Sequence, residues 1–329
     1  MLAGIMKVVR YPFSSNRSKQ ERRGKGMKQL LGVLAVSLSL LFGCSATTEG
    51  EKEGIVVATT GQIADVIQEI SGDHLQVSAL MGSGVDPHLY KATQSDLSKL
   101  EKAEVIFYNG LHLEGQMLDI FEQMAKDKTV VAVGETVDEK QLLASDDHAM
   151  LHDPHIWFDI DIWKEVTKTI SEQLQEEYPE FKEDFQKNEE KYVKELNELQ
   201  AYAKERVNEI PQQQRILVTA HDAFNYFGRS QGFEVRGLQG LSTESEYGVK
   251  DVQEMVDFLV ANKIKAIFVE SSVSDKAMQA VIEGAKEKGH DIVIGGELFS
   301  DAMGAEGTEE GTYIGMYQHN INTIVDALK

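Results

Sequence analysis

Residues 180–208 read EFKEDFQKNEEKYVKELNELQAYAKERVN. They belong to a longer stretch, 160–209, that contains no glycine and one proline, Pro179, and is dense in Glu, Lys, Gln and Leu. Proline has no N–H to give and its ring clashes with the preceding turn, so this composition predicts two helices broken at Pro179. The second runs from about Glu180 to Asn208. At the α-helical rise it would be on the order of 40 Å long, enough to cross a whole domain. Its apolar positions Phe181, Phe185, Tyr192, Leu196, Leu199 and Tyr202 hold heptad spacing only briefly, which argues for a spine joining two lobes rather than a coiled coil.

On both sides of this spine the pattern alternates. Ile55–Thr60 is an apolar β-branched run, and Ile63, Val66, Ile67 and Ile70 then mark one buried helix face. Leu75–Leu80, Val105–Tyr108 and Thr129–Val133 read as strands, with helices over Ser95–Glu101 and Gln116–Met124. Beyond Pro211, strands are expected at Ile216–Thr219, Phe233–Gly237, Ala266–Glu270 and Asp291–Ile294. Helices begin at Ala223–Phe227 and cover Val249–Ala261, Asp275–Glu287 and Thr312–Leu328. Strands alternating with helices predict an α/β fold of two lobes, each a parallel sheet flanked by helices, joined by one long rigid helix. The expected boundaries are 55–179 for the N-terminal lobe, 180–209 for the linking helix and 210–329 for the C-terminal lobe.

The chain has 329 residues and a formal net charge of −21. Residues 1–43 hold eight Lys/Arg and one acid, and setting aside those seven net positive charges leaves −28 for the rest. A body so acidic repels phosphate backbones, which excludes nucleic acid as a partner class. The single cysteine, Cys44, rules out an intrachain disulfide. Lys28 precedes an apolar run from Leu30 to Phe42 that ends at Gly43-Cys44. A basic start, a short apolar core and a small residue describe a secretory signal, too short for a comfortable membrane span. Leu41-Phe42-Gly43-Cys44 resembles a bacterial lipobox, making Cys44 the expected lipidation site and 44–54 a polar tether. Met27-Lys28 is the more typical start, so 1–26 are expected to be an over-extended beginning.

Nine histidines are present, at 74, 88, 112, 148, 152, 155, 221, 290 and 319. Three stand apart by placement. His88 closes Gly84-Val85-Asp86-Pro87-His88 between a strand and a helix, His155 lies in Asp153-Pro154-His155-Ile156-Trp157, and His221 directly follows the strand Ile216–Thr219. Asp301 comes after the last strand and the segment Gly295–Ser300. Ligands of open α/β sheets gather beyond the carboxyl ends of the strands, and two of these residues belong to each lobe. Imidazoles with one carboxylate suit Zn²⁺, Mn²⁺ or Fe²⁺ and are poor for Ca²⁺. Proline before His88 and His155 restrains the loop backbone. Asp86, Asp153 and Asp222 are candidate acceptors for the ring N–H groups. His148 and His152 fall in an acidic stretch that reads as a solvated loop, and His112 is placed to line the cleft without ligating. The residues alone reach an interlobe metal site and go no further.

At these loops the sequence resembles the TroA-like (cluster A-I) manganese/zinc solute-binding lipoproteins of bacterial ABC importers. The motifs are Gly84–Tyr90, Asp153–Phe158, Thr219–Phe224 and Gly296–Gly304, and the likeness extends from Cys44 to Lys329. It implies metal held by His88, His155, His221 and Asp301, one residue from each motif. It also implies an ABC permease and its cytoplasmic ATPase as partners, a lipid anchor on the outer face of the cell membrane, and a monomer. The chain has no Gly-x-x-x-x-Gly-Lys-[Ser/Thr] loop, so the ATPase belongs to another subunit. Many manganese binders of this kind carry glutamate where His221 stands, and zinc-specialised ones carry a His-rich insertion where only His148 and His152 occur. Gly240–Glu244 and Val269–Ser274 are most similar to Gram-positive manganese-binding members, so manganese is preferred as cargo, with zinc second. No catalysis is expected. The alternatives are a zinc hydrolase, which lacks any His-Glu-x-x-His here, and a surface adhesin.

Overall fold

In a computed structural model of the chain, residues 54–145 and 150–329 are described. Cys44, the signal segment, nearly all of the tether and His148 lie outside them. The described residues form one compact unit, built as two α/β lobes.

The N-terminal lobe carries strands β1 (Gly54–Ala58), β2 (Leu75–Ala79), β3 (Val105–Tyr108) and β4 (Thr129–Ala132). They pair in the order β2–β1–β3–β4, all parallel. Strands covered on both faces read as continuous apolar runs rather than alternating ones, and Val56, Val57 and Val105–Phe107 are fully buried. Helix α1 (Gly61–Ser71) lays Ile63, Val66, Ile67 and Ile70 against the sheet, at the spacing expected for one face. Helix α2 (Gln94–Lys102) starts at a Thr93/Asp96 capping box, and α3 (Leu118–Met124) follows a 3₁₀ turn at Gly115–Met117.

Helix α4 (Ile160–Glu177) and helix α5 (Lys182–Val207) flank a 3₁₀ turn at Pro179–Phe181. The spine therefore starts two residues later than its sequence suggests, because Glu180 and Phe181 complete the tight turn that proline opens. Its 26 residues span about 39 Å. Helix α5 packs against α1, α4 and the C-terminal helix α9 (Tyr313–Leu328). Phe185, Tyr192, Leu196, Leu199, Ala203 and Val207 are its buried residues. One apolar core runs from α1 and α4 through α5 to α9. Within it the rings of Trp163 and Tyr313 stack at 5.2 Å. A core continuous through the spine ties both lobes to a stiff element.

In the C-terminal lobe β5 (Ile216–His221) pairs in parallel with β6 (Glu234–Gln239), and β7 (Ala266–Glu270) with β8 (Val293–Leu298). These are two parallel pairs set side by side through β5 and β7, where a single sheet was expected. Helices α6 (Asn225–Gln231), α7 (Val249–Asn262) and α8 (Lys276–Glu287) complete the lobe. Strands β5, β6 and β8 all run past their predicted ends. His221 is the last residue of β5, paired with Gln239, rather than a loop residue. Strand β8 continues through Gly295-Gly296 to Leu298, with a register shift opposite Ile267/Phe268. Those glycines mark a close approach instead of a strand end: a Cβ on Gly296 would lie 2.4 Å from Thr323 Cγ2 of α9.

Candidate metal centre

Two short sequences with the same local construction deliver the N-terminal lobe's histidines. In each, the aspartate two residues ahead turns back to accept the histidine main-chain N–H: Asp86 Oδ1 from His88 at 2.9 Å, and Asp153 Oδ1 from His155 at 2.9 Å. These Asx turns, stiffened by the intervening proline, fix where each imidazole leaves the backbone. His221 comes off the end of β5. Asp301 follows β8 on a loop whose Phe299 is gripped through both main-chain polar groups by the Asn320 side chain of α9, at 2.9 and 2.7 Å.

The structure brings all four predicted residues together. His88, His155, His221 and Asp301 are buried, and one donor atom from each lies within 4.8 Å of all the others. His88 Nε2 is 3.4 Å from His155 Nε2. The Asp301 carboxylate lies 3.4 Å from His155 Nε2, 3.2 Å from His221 Nε2 and 3.9 Å from His88 Nε2. The His221 Nε2 and both Asp301 carboxylate oxygens are buried with no well-formed hydrogen bond. Buried polar atoms are nearly always satisfied, and a set of unsatisfied ones facing one point fits a cation. Three imidazole nitrogens and a carboxylate could hold a divalent transition metal.

The outward nitrogens of two rings are fixed from behind. Asp153 Oδ1 accepts from His155 Nδ1 at 2.7 Å, as expected. Glu270, the last residue of β7, accepts from His221 Nδ1 at 2.5 Å and, through its other oxygen, from the His221 main-chain N–H at 2.9 Å. A carboxylate can only accept, so each Nδ1 carries hydrogen and each Nε2 is turned to the centre. Asp222 does not take the role suggested for it, because the register of β5 beside β7 puts Glu270 behind the ring. Asp86 serves the His88 backbone rather than its ring.

The charges of the metal-free cluster follow from this wiring. Burial opposes a charge on His155, but Asp153 and Asp301 outweigh it and raise the ring to about 9. Burial opposes a charge on His221 as well, and Glu270 and Asp301 raise it well above its ordinary value. Burial drives His88 down to about 3, with Asp301 opposing and the neighbouring imidazoles reinforcing the fall. Burial also works against an ionised Asp301, yet His221 and His155 hold its carboxyl well below the usual range. Without metal, two imidazolium rings therefore bracket one carboxylate.

Among the described residues, the other histidines stay out of the cluster. His152 makes a bridge with Ala144 ahead of the Asp153 turn. His112 occupies a left-handed backbone position (φ 67°), its ring folded over Gly115.

Two α/β lobes joined by one long helix, with a buried three-histidine, one-aspartate cluster between them, define a bilobal metal-binding protein. The family described as zinc-uptake complex component A, periplasmic (ZnuA), matches residues 56–327, and the chain belongs to that family. It is 48% identical over 303 residues to the manganese-binding lipoprotein MntA of Bacillus subtilis, covering 91% of this chain and 99% of that one. It is 46% identical over 298 residues to the zinc-binding protein TroA of Treponema pallidum, covering 91% and 96%. The solved structure of that periplasmic zinc-binding protein superposes with a TM-score of 0.81 at 45% identity, over 84% of this chain and 99% of the other.

Proposed function

We propose that this chain is the extracytoplasmic substrate-binding lipoprotein of an ABC importer, capturing one divalent transition metal between its lobes and delivering it to the permease. The observation that carries this reading is the set of donor atoms left without full hydrogen-bond partners, His221 Nε2 and both oxygens of Asp301, facing the Nε2 atoms of His88 and His155. We assign His88, His155, His221 and Asp301 as the ligands. Four protein donors complete a tetrahedral shell and leave no open position for activating water, which favours capture over turnover. Relatives named as metal ABC transporter substrate-binding lipoproteins support the transport role.

Manganese is the proposed cargo, with zinc held more tightly in vitro. Three imidazoles rank zinc above manganese on intrinsic affinity, so delivery of manganese depends on metal availability outside the cell. Residues 55–179 and 210–329 act as the two lobes closing on the metal, with 180–209 as the spine. Cys44 carries the lipid, 44–54 form the tether, and the protein works as a monomer. Native mass spectrometry with elemental analysis, on protein made in medium balanced for manganese and zinc, tests this. One metal per chain, lost in the His88/His221 double alanine variant, is the expected result; a metal-free chain contradicts it.

A further inference from the structure

The two aspartates that shape the N-terminal ligand loops each spend their second oxygen on the opposite lobe. Asp86 Oδ2 accepts from Thr243 Oγ1 at 2.6 Å, and Thr243 lies in the loop after β6. Asp153 Oδ2 accepts from Asn225 Nδ2 at 3.2 Å, at the start of α6. The Tyr226 hydroxyl adds a bond to the Asp153 carbonyl at 2.9 Å. The grip is returned. Gln62, buried in the first turn of α1, donates through Nε2 to the main-chain carbonyl of Asp301 at 3.1 Å. The Trp157 indole donates to the Ser300 carbonyl at 3.0 Å. Thus the loops carrying His88 and His155 are held by the C-terminal lobe, and the loop carrying Asp301 is held by the N-terminal lobe.

We propose that Thr243, Asn225 and Gln62 are positioning residues that make metal retention depend on contact between the lobes. None of them belongs to the four-residue donor cluster. Each fixes the loop of a ligand that belongs to the other lobe, so drawing the lobes apart loosens three of the four ligands together. This gives a partner that separates the lobes a way to release the metal without protonating any ligand. The inference rests on the ligand assignment above.

The experiment uses the full chain loaded with Zn²⁺ or Mn²⁺, with dissociation followed by chelator competition. Thr243→Val removes the hydroxyl at nearly constant shape, and Gln62→Met removes the amide at nearly constant length. Loss of one such bond should speed dissociation about fivefold, and the double variant should show the product of the two effects. Thr243→Ser, which keeps the hydroxyl, should restore the slow rate. Asn188→Leu is the control. Its amide makes the same kind of bond, to the Ile70 carbonyl at 2.9 Å, about 12 Å along α1 from Gln62. It should lower the melting temperature of the metal-free chain as much as Gln62→Met does and leave dissociation unchanged. Wild-type dissociation rates in both Thr243→Val and Gln62→Met, with one metal still bound through the four ligands, would overturn the proposal and leave the ligand assignment standing. A chain that binds no metal would overturn both.

Discussion

Glu270 Oε2 lies 2.5 Å from His221 Nδ1, and the other oxygen of the same carboxylate takes the His221 main-chain N–H. One acid at the end of β7 thus fixes both the rotation and the tautomer of a ring at the end of β5. Carboxylates placed this way raise the donor strength of the ligand nitrogen, and removing them weakens metal affinity by about 10–100-fold. Glu270→Ala should show a loss of that size with one metal still bound at saturation. Competition against a chelator of known affinity measures it, and an unchanged affinity would deny Glu270 this role.

Metal capture should expel protons. His155, raised to about 9, and His221, higher than its ordinary value, are both charged near neutrality in the metal-free chain and must give up their Nε2 protons to bind a cation. Affinity therefore rises with pH from neutrality towards about 9. The sign for stability is opposite in the metal-free chain. A folded-state pKa raised above 6.5 contributes stability that is fully present below 6.5 and is lost as pH climbs through about 9. Calorimetry in buffers of different ionisation enthalpy counts the protons, and metal-free melting temperatures between pH 6.5 and 9.5 follow the second effect. Binding without proton release would contradict the charge assignment.

Asp301→Ala removes the carboxylate that two imidazolium rings share. Breaking a buried ion pair from one side costs about 3–5 kcal/mol, reduced here to the extent that the rings deprotonate. The metal-free chain should melt lower, and the cleft should hold no metal through gel filtration. Retention of one metal would remove Asp301 from the ligand set.

His112 offers a contrasting case. It is a non-glycine residue at φ 67°, following Leu111 at φ 52°. Left-handed backbone is strained for a residue with a Cβ and free for glycine. His112→Gly should therefore leave stability unchanged or raised by up to about 1 kcal/mol, with metal stoichiometry intact. Loss of the metal in this variant would show that His112 ligates.

Much of the fold was legible because local patterns and tertiary packing agree. Ile63, Val66, Ile67 and Ile70 sit on the face their spacing predicted, and the second helix of the glycine-free stretch 160–209 is the spine. Two of the clustered residues, His88 and His155, were legible through their loops: the Asp-Pro-His turns carry their geometry in three consecutive residues. Glu270 was not assigned behind His221, because the two are 49 residues apart in sequence and meet only when β5 lies beside β7. An acidic residue closing an otherwise apolar strand was the one available signal. The extension of β8 through Gly295 and Gly296 was hidden for a related reason. Glycines read as a break unless the helix pressed against them, α9, is already in place.

The central claim is that one cation sits where His88, His155, His221 and Asp301 converge. Anomalous diffraction from crystals loaded separately with zinc and manganese, collected at each metal's absorption edge, tests it most directly. The expected result is a single peak at about 2.0–2.2 Å from the three Nε2 atoms and the Asp301 carboxylate in the zinc crystal, with manganese at the same point. A peak ligated by His112 or His152, or no peak in the cleft, would contradict it.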